Sequence, residues 1–90
     1  MSQLSRTHAG RTFLVTGANS GVGLALTRRL LADGGEVIAL IRSDFEPEPV
    51  IQTALAAGQL RSYRADFADF ASLRQALAEI RRCESSIDVL

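Results

Sequence analysis

Eight residues, Thr16-Gly17-Ala18-Asn19-Ser20-Gly21-Val22-Gly23, constrain this chain more than any other stretch. Ahead of them, Thr12 to Thr16 is short, β-branched and nearly continuously apolar, the pattern of a strand buried on both faces. Behind them, Val22 to Asp33 carries Val22, Leu26, Leu30 and Leu31 at helical spacing, and Gly34-Gly35 stops the helix. Three glycines therefore fall between a buried strand and a helix start. The N–H groups of a helix N-terminus attract anions, and a pyrophosphate reaches them only where no Cβ stands in the way. With a second strand opening about 20 residues on, the spacing reads as a dinucleotide-binding turn. The alternative is a glycine-rich connection that binds nothing. A nucleoside-triphosphate loop is excluded: it needs a Lys after its glycines, and all ten basic residues here are Arg.

The rest of the chain alternates strand and helix. Glu36 to Ile41 reads as a second apolar strand, and Glu46-Pro47-Glu48-Pro49 as a loop ending in a helix start. Pro49 to Ala57 is expected to be a short helix with Val50, Ile51, Ala54 and Leu55 inward, closed by Gly58. Leu60 to Ala65 is a weaker strand. Asp69 or Ser72 then caps a helix to about Cys83, with Leu73, Leu77 and Ile80 as its apolar stripe. Ile87 to Leu90 begins another strand. Three strand–helix units followed by a strand define an α/β chain with a doubly wound parallel sheet. Right-handed crossovers set the strand order 3-2-1-4, the N-terminal half of a Rossmann fold. Residues 1–10 read as a flexible polar tail and residues 11–90 as one domain that ends within its fourth strand.

Composition removes several function classes. Ten Arg balance ten Asp plus Glu, so the chain carries no electrostatic case for binding nucleic acid or a membrane surface. The longest strongly apolar run, Val37 to Ile41, is five residues, against the roughly 20 that span a bilayer. Met1 to Gly10 lacks the apolar core of a signal peptide, which makes the cytoplasm the expected location. One cysteine, Cys83, excludes an internal disulfide and a cysteine-based zinc site, and His8 has no partners at ligand spacing; no metal is expected.

The run Thr16-Gly17-x-x-x-Gly21-x-Gly23 resembles the cofactor-binding motif of the short-chain dehydrogenase/reductase family. The glycine spacings of medium-chain dehydrogenases and of sugar epimerases fit less well, and TGANSGVG as a whole is similar to retinol-dehydrogenase-like and protochlorophyllide-reductase-like members. The resemblance implies a cofactor site built from Gly17, Asn19, Ser20, Gly21, Val22 and Gly23. It also implies discrimination between cofactors at the end of the second strand. There the NAD-type acidic residue is replaced by Ile41, and Arg42 and Ser43 follow, a pair suited to a 2′-phosphate. NADP is thus the expected cofactor and NAD the less favoured one, although Asp44 lies close enough to weaken a phosphate site. Asp66-Phe67 resembles the family's acidic position beside the adenine ring.

The resemblance also implies what these residues lack. The family's Asn-Ala-Gly motif follows the fourth strand, and its catalytic Tyr and Lys stand four residues apart on a later helix, the Lys lowering the Tyr pKa. The 90 residues contain one Tyr, Tyr63, and no Lys, so no catalytic residue is expected among them. The leading expectation is the dinucleotide-binding portion of an NADP-dependent reductase that transfers a hydride between NADP(H) and a carbonyl or alcohol. The alternatives are a dinucleotide-binding module without chemistry, and a structural piece that self-associates or pairs with another chain through an open sheet edge.

Overall fold

The computed structural model describes residues 10–84. Six elements alternate: β1 (Thr12–Thr16), α1 (Gly21–Ala32), β2 (Glu36–Ile41), α2 (Pro49–Ala57), β3 (Leu60–Arg64) and α3 (Phe70–Cys83). The strands form one parallel sheet in the order 3-2-1, with Thr12 beside Glu36 and Val37 beside Leu60. This is the expected α/β, partial Rossmann arrangement. The fourth strand expected at Ile87 to Leu90 lies outside the described residues, as does all but Gly10 of the expected tail.

The alternation of strand side chains divides the core in two. Phe13, Val15, Val37, Ala39, Ile41 and Leu60 pack with Leu30 and Leu31 of α1 and Ile51 and Ala54 of α2. On the opposite face, Ile38, Leu40 and Ala65 meet Ala76 and Ile80 of α3. Helices thus cover both faces, and β2, central among the described strands, is buried from Val37 to Ile41.

Helix boundaries follow the local chemistry. α1 starts one residue earlier than the sequence suggests. α2 begins on Pro49, whose missing N–H costs nothing in a first turn, and ends at Gly58, which adopts a left-handed φ of +77°. α3 begins after Asp69, whose side chain accepts from the Ala71 and Ser72 N–H groups. β3 ends at Arg64, one residue short of the expected Ala65.

The inward stripes are narrower than their apolar spacing implied. Val22 is 86% exposed, and Val50, Leu55 and Leu77 also face outward. α3 turns Ala76 and Ile80 inward, with Leu73 partly buried beside them, while Leu77 lies to the side of this stripe and stays exposed. Thr27 takes a place in α1's buried face because its hydroxyl donates to the Gly23 carbonyl at 2.8 Å, which satisfies the polar group.

Candidate functional site

All three strands run the same way, so β1, β2 and β3 deliver their following loops to one edge of the sheet. Ladder bonds hold these loops together: the Gly17 N–H donates to the Leu40 carbonyl at 3.0 Å, and the Ala65 N–H to the Ile41 carbonyl at 2.9 Å. Between them lies a cleft of about 480 Å³, whose wall includes Gly17, Asn19, Ser20, Arg42, Ser43 and Phe67. Leu40, Asp44 and Glu46 complete it. A second concavity of about 370 Å³, between the end of α1 and α2, is lined without any charged group.

The glycine turn is shaped for close backbone approach. Gly17 and Gly21 sit at φ +61° and +55°, the left-handed region that L side chains rarely adopt. At Gly23 the constraint is contact. A Cβ there would overlap the Gly17 carbonyl oxygen and stand 2.7 Å from its carbon. The absence of that side chain lets α1 start directly against the turn. Ser20 occupies the capping position of α1 with extended backbone, yet no side-chain capping bond forms among the described residues, and the first turn carries no acidic residue. The first N–H groups of α1, which a helix cannot satisfy internally, therefore have no side-chain cap from Ser20, which itself lines the cleft.

Asn19 has a role that its sequence position did not disclose. Its Nδ2 donates to the Ser43 carbonyl at 2.6 Å, to Ser43 Oγ at 3.2 Å and to the Asp44 carbonyl at 3.4 Å. The amide thus ties the glycine turn to the segment after β2, fixing Arg42 and Ser43 against the start of α1. Arg42 and Ser43 are exposed and line the cleft. Asp44 also lines it, but its carboxylate is engaged: the Arg64 guanidinium donates to Asp44 Oδ1.

Phe67 lines the cleft with about half its surface exposed. Asp66 is not part of the lining. Its Oδ1 accepts from the Ala68 N–H at 2.9 Å, and its own N–H donates to Ser72 Oγ at 3.1 Å, so this residue also builds the turn that leads into α3. Gly21, Val22 and Gly23 likewise stand outside the lining, within the first turn of α1.

A separate charged group locks the far end of α3. Arg61 donates to both oxygens of Glu84 at 2.9 Å and to Glu36 at 2.9 Å, while the Tyr63 hydroxyl donates to Glu84 at 3.0 Å. The hydrogen bonds from Arg61 hold the Glu84 carboxyl below the usual range. Burial, reinforced by Glu84, pushes the Tyr63 phenol up to about 12. A phenol so shifted stays protonated near neutrality and is unsuited to act as a base. Among the described residues, no group of three or more His, Cys, Asp or Glu could hold a metal ion, and no helix is long and apolar enough to cross a membrane.

The sequence profile of the short chain dehydrogenase family matches residues 11–90. The oxidoreductase UcpA of Salmonella typhimurium is 32% identical over 81 residues, a match covering 90% of this chain and 31% of that protein. Carbonyl reductase (NADPH) 1 of Oryctolagus cuniculus is 34% identical over 82 residues, covering 89% of this chain and 30% of the relative. This chain thus spans about a third of the length of these curated relatives. Among solved structures, the NADPH-dependent 3-quinuclidinone reductase of Rhodotorula rubra superposes with a TM-score of 0.69 at 23% identity, over 96% of this chain and 34% of that one. That likeness shows a shared fold.

Proposed function

Because this chain belongs to the short-chain dehydrogenase family, we propose that it is the dinucleotide-binding portion of an oxidoreductase that prefers NADP(H) to NAD(H). The whole protein would interconvert a carbonyl and an alcohol. The bound nicotinamide supplies the hydride chemistry; the residues described here bind and orient it.

One observation carries this reading: the N-terminus of α1 has no side-chain cap, and its capping residue Ser20 lines the same cleft as Arg42 and Ser43. In this reading the Gly21, Val22 and Gly23 amides, with Ser20, hold the pyrophosphate, where the helix end favours negative charge. Gly17 and Gly21 give the turn its shape, and Gly23 lets the helix close on it. Asn19 acts through Ser43 and Asp44, holding the ribose side of the cleft against the phosphate side. The Arg42 guanidinium can grip a 2′-phosphate through two parallel hydrogen bonds, and the Ser43 hydroxyl adds a third donor. Phe67 offers its ring and backbone to the adenine, with Asp66 beside it as acceptor. The names of relatives point the same way, since carbonyl reductase (NADPH) 1 and the 3-quinuclidinone reductase are described as users of NADPH. With one Tyr and no Lys, these 90 residues form no Tyr–Lys pair, so the binding role is assigned to them and the reaction to the whole protein.

Arg42→Glu tests the assignment. Fluorescence titration should show NADPH affinity falling by about 10- to 100-fold, as expected for losing charge-assisted hydrogen bonds, with NADH affinity nearly unchanged. A protein that prefers NADH, or one that loses both cofactors equally, would refute the NADP reading.

A further inference from the structure

Asp44 poses a problem for a phosphate site. Its side chain is 82% exposed, it lines the cleft two residues after Arg42, and a carboxylate there opposes a 2′-phosphate. The structure answers this with Arg64. In the parallel register Arg64 lies beside Ile41, the residue that precedes Arg42, so β3 brings a second guanidinium to the end of β2. That guanidinium donates to Asp44 Oδ1. Both partners are mostly exposed, at 61% and 82%, and an ion pair this open contributes little to folding. Its local electrostatic consequence is larger, because the cleft wall then carries Arg42 next to a neutralised pair rather than next to a bare carboxylate.

We propose that Arg64 is a positioning residue for cofactor choice, which acts by engaging Asp44 and thereby offsets one of the two carboxylates, Asp44 and Glu46, that share the cleft with Arg42. This rests on the NADP(H) reading of the same site. Removing the Arg64 charge turns the pair from neutral to −1 beside a phosphate that carries close to two negative charges. The penalty falls on the 2′-phosphate form alone.

The test is a double-substitution cycle read as the ratio of NADPH to NADH affinity at low ionic strength. Arg64→Gln should weaken NADPH binding roughly five- to tenfold and NADH binding less than twofold. Asp44→Asn should strengthen NADPH binding. In the Asp44→Asn background, Arg64→Gln should cost about twofold or less, because no carboxylate is left to release. An Arg64→Gln protein with an unchanged ratio would overturn the inference, as would an effect equally large with and without Asp44. Should Arg64→Gln fail to fold, Asp44→Asn decides alone: a ratio unmoved toward NADPH overturns the proposal. If the unaltered protein prefers NADPH and depends on Arg42 while the Arg64 cycle shows no coupling, this inference fails and the cofactor reading stands. If no NADPH preference exists at all, both fall.

Discussion

Two helices leave the same edge of the sheet, and their first turns are built in opposite ways. α3 is sealed by its own residues: Asp69 Oδ1 accepts from the Ala71 N–H at 3.1 Å and the Ser72 N–H at 3.4 Å. Ser72 in turn accepts from the Asp66 N–H, so the approach to the helix is tied down as well. α1 has a Ser in the capping position and makes no side-chain cap. Serine is a favoured capping residue, so a Ser20 hydroxyl that does not cap leaves the helix start accessible. A helix that consumes its own free N–H groups gains stability; one that leaves them open can offer them to an anion. α3 takes the first course and α1 the second, and of the two only α1 starts from a glycine turn, with Gly17 ahead of it and Gly21 and Gly23 in its first turn.

Gly23→Ala should break this comparison most severely. The new Cβ would meet the Gly17 carbonyl, and Gly17 is itself held by its bond to Leu40, so neither side yields easily. We expect a loss of about 2–3 kcal/mol in urea unfolding and at least a tenfold loss in dinucleotide affinity. Wild-type affinity in this variant would show that the start of α1 is not the anion site.

The far end of α3 should respond to pH without involving the cleft. Glu84 has a folded pKa below its unfolded value of about 4.3, so the stability it contributes is complete above that value. It is lost as pH falls through the folded pKa. Glu84→Gln should therefore cost about 1–2 kcal/mol near neutrality and flatten the acid side of the stability curve, with dinucleotide affinity unaltered. Tyr63 has the opposite sign: its contribution is complete below about 10 and is lost as pH rises through about 12. An acid limb that persists in Glu84→Gln would place the titration elsewhere.

A paired substitution sharpens the contrast at its smallest scale. Asp69→Ala should cost about 1 kcal/mol of stability and leave cofactor binding alone. Ser20→Ala should cost only a few tenths, since no cap is lost, yet weaken dinucleotide binding several-fold. Equal effects of the two on stability would mean that Ser20 caps α1 in solution.

Much of the fold was legible in advance because glycine and proline punctuate it. Pro49 and Gly58 bound α2 where they were expected to, and β2 runs from Glu36 to Ile41 as its apolar run implied. Which apolar side chains turn inward was less legible. Val22, Val50, Leu55 and Leu77 satisfy helical spacing, but periodicity does not specify the rotation of a helix on its sheet. In the candidate site, Gly17, Ser20, Arg42, Ser43 and Phe67 could be named from spacing and resemblance, and they share one cleft. Arg64 could not, because its bearing on Asp44 depends on β3 pairing parallel to β2 in a particular register.

The sequence by itself determined the alternation of strands and helices, the family motif from Thr16 to Gly23, and an all-Arg set of basic residues within these 90 positions. These follow from local conformational preference and from which residue types are present. Tertiary structure decided that Asn19 joins two loops 24 residues apart, that Arg64 meets Asp44 across 20 residues, and that Ser20 leaves its helix uncapped. Such pairings come from strand register and helix rotation. Those are set by burying both faces of the sheet at once, which no local stretch of sequence encodes.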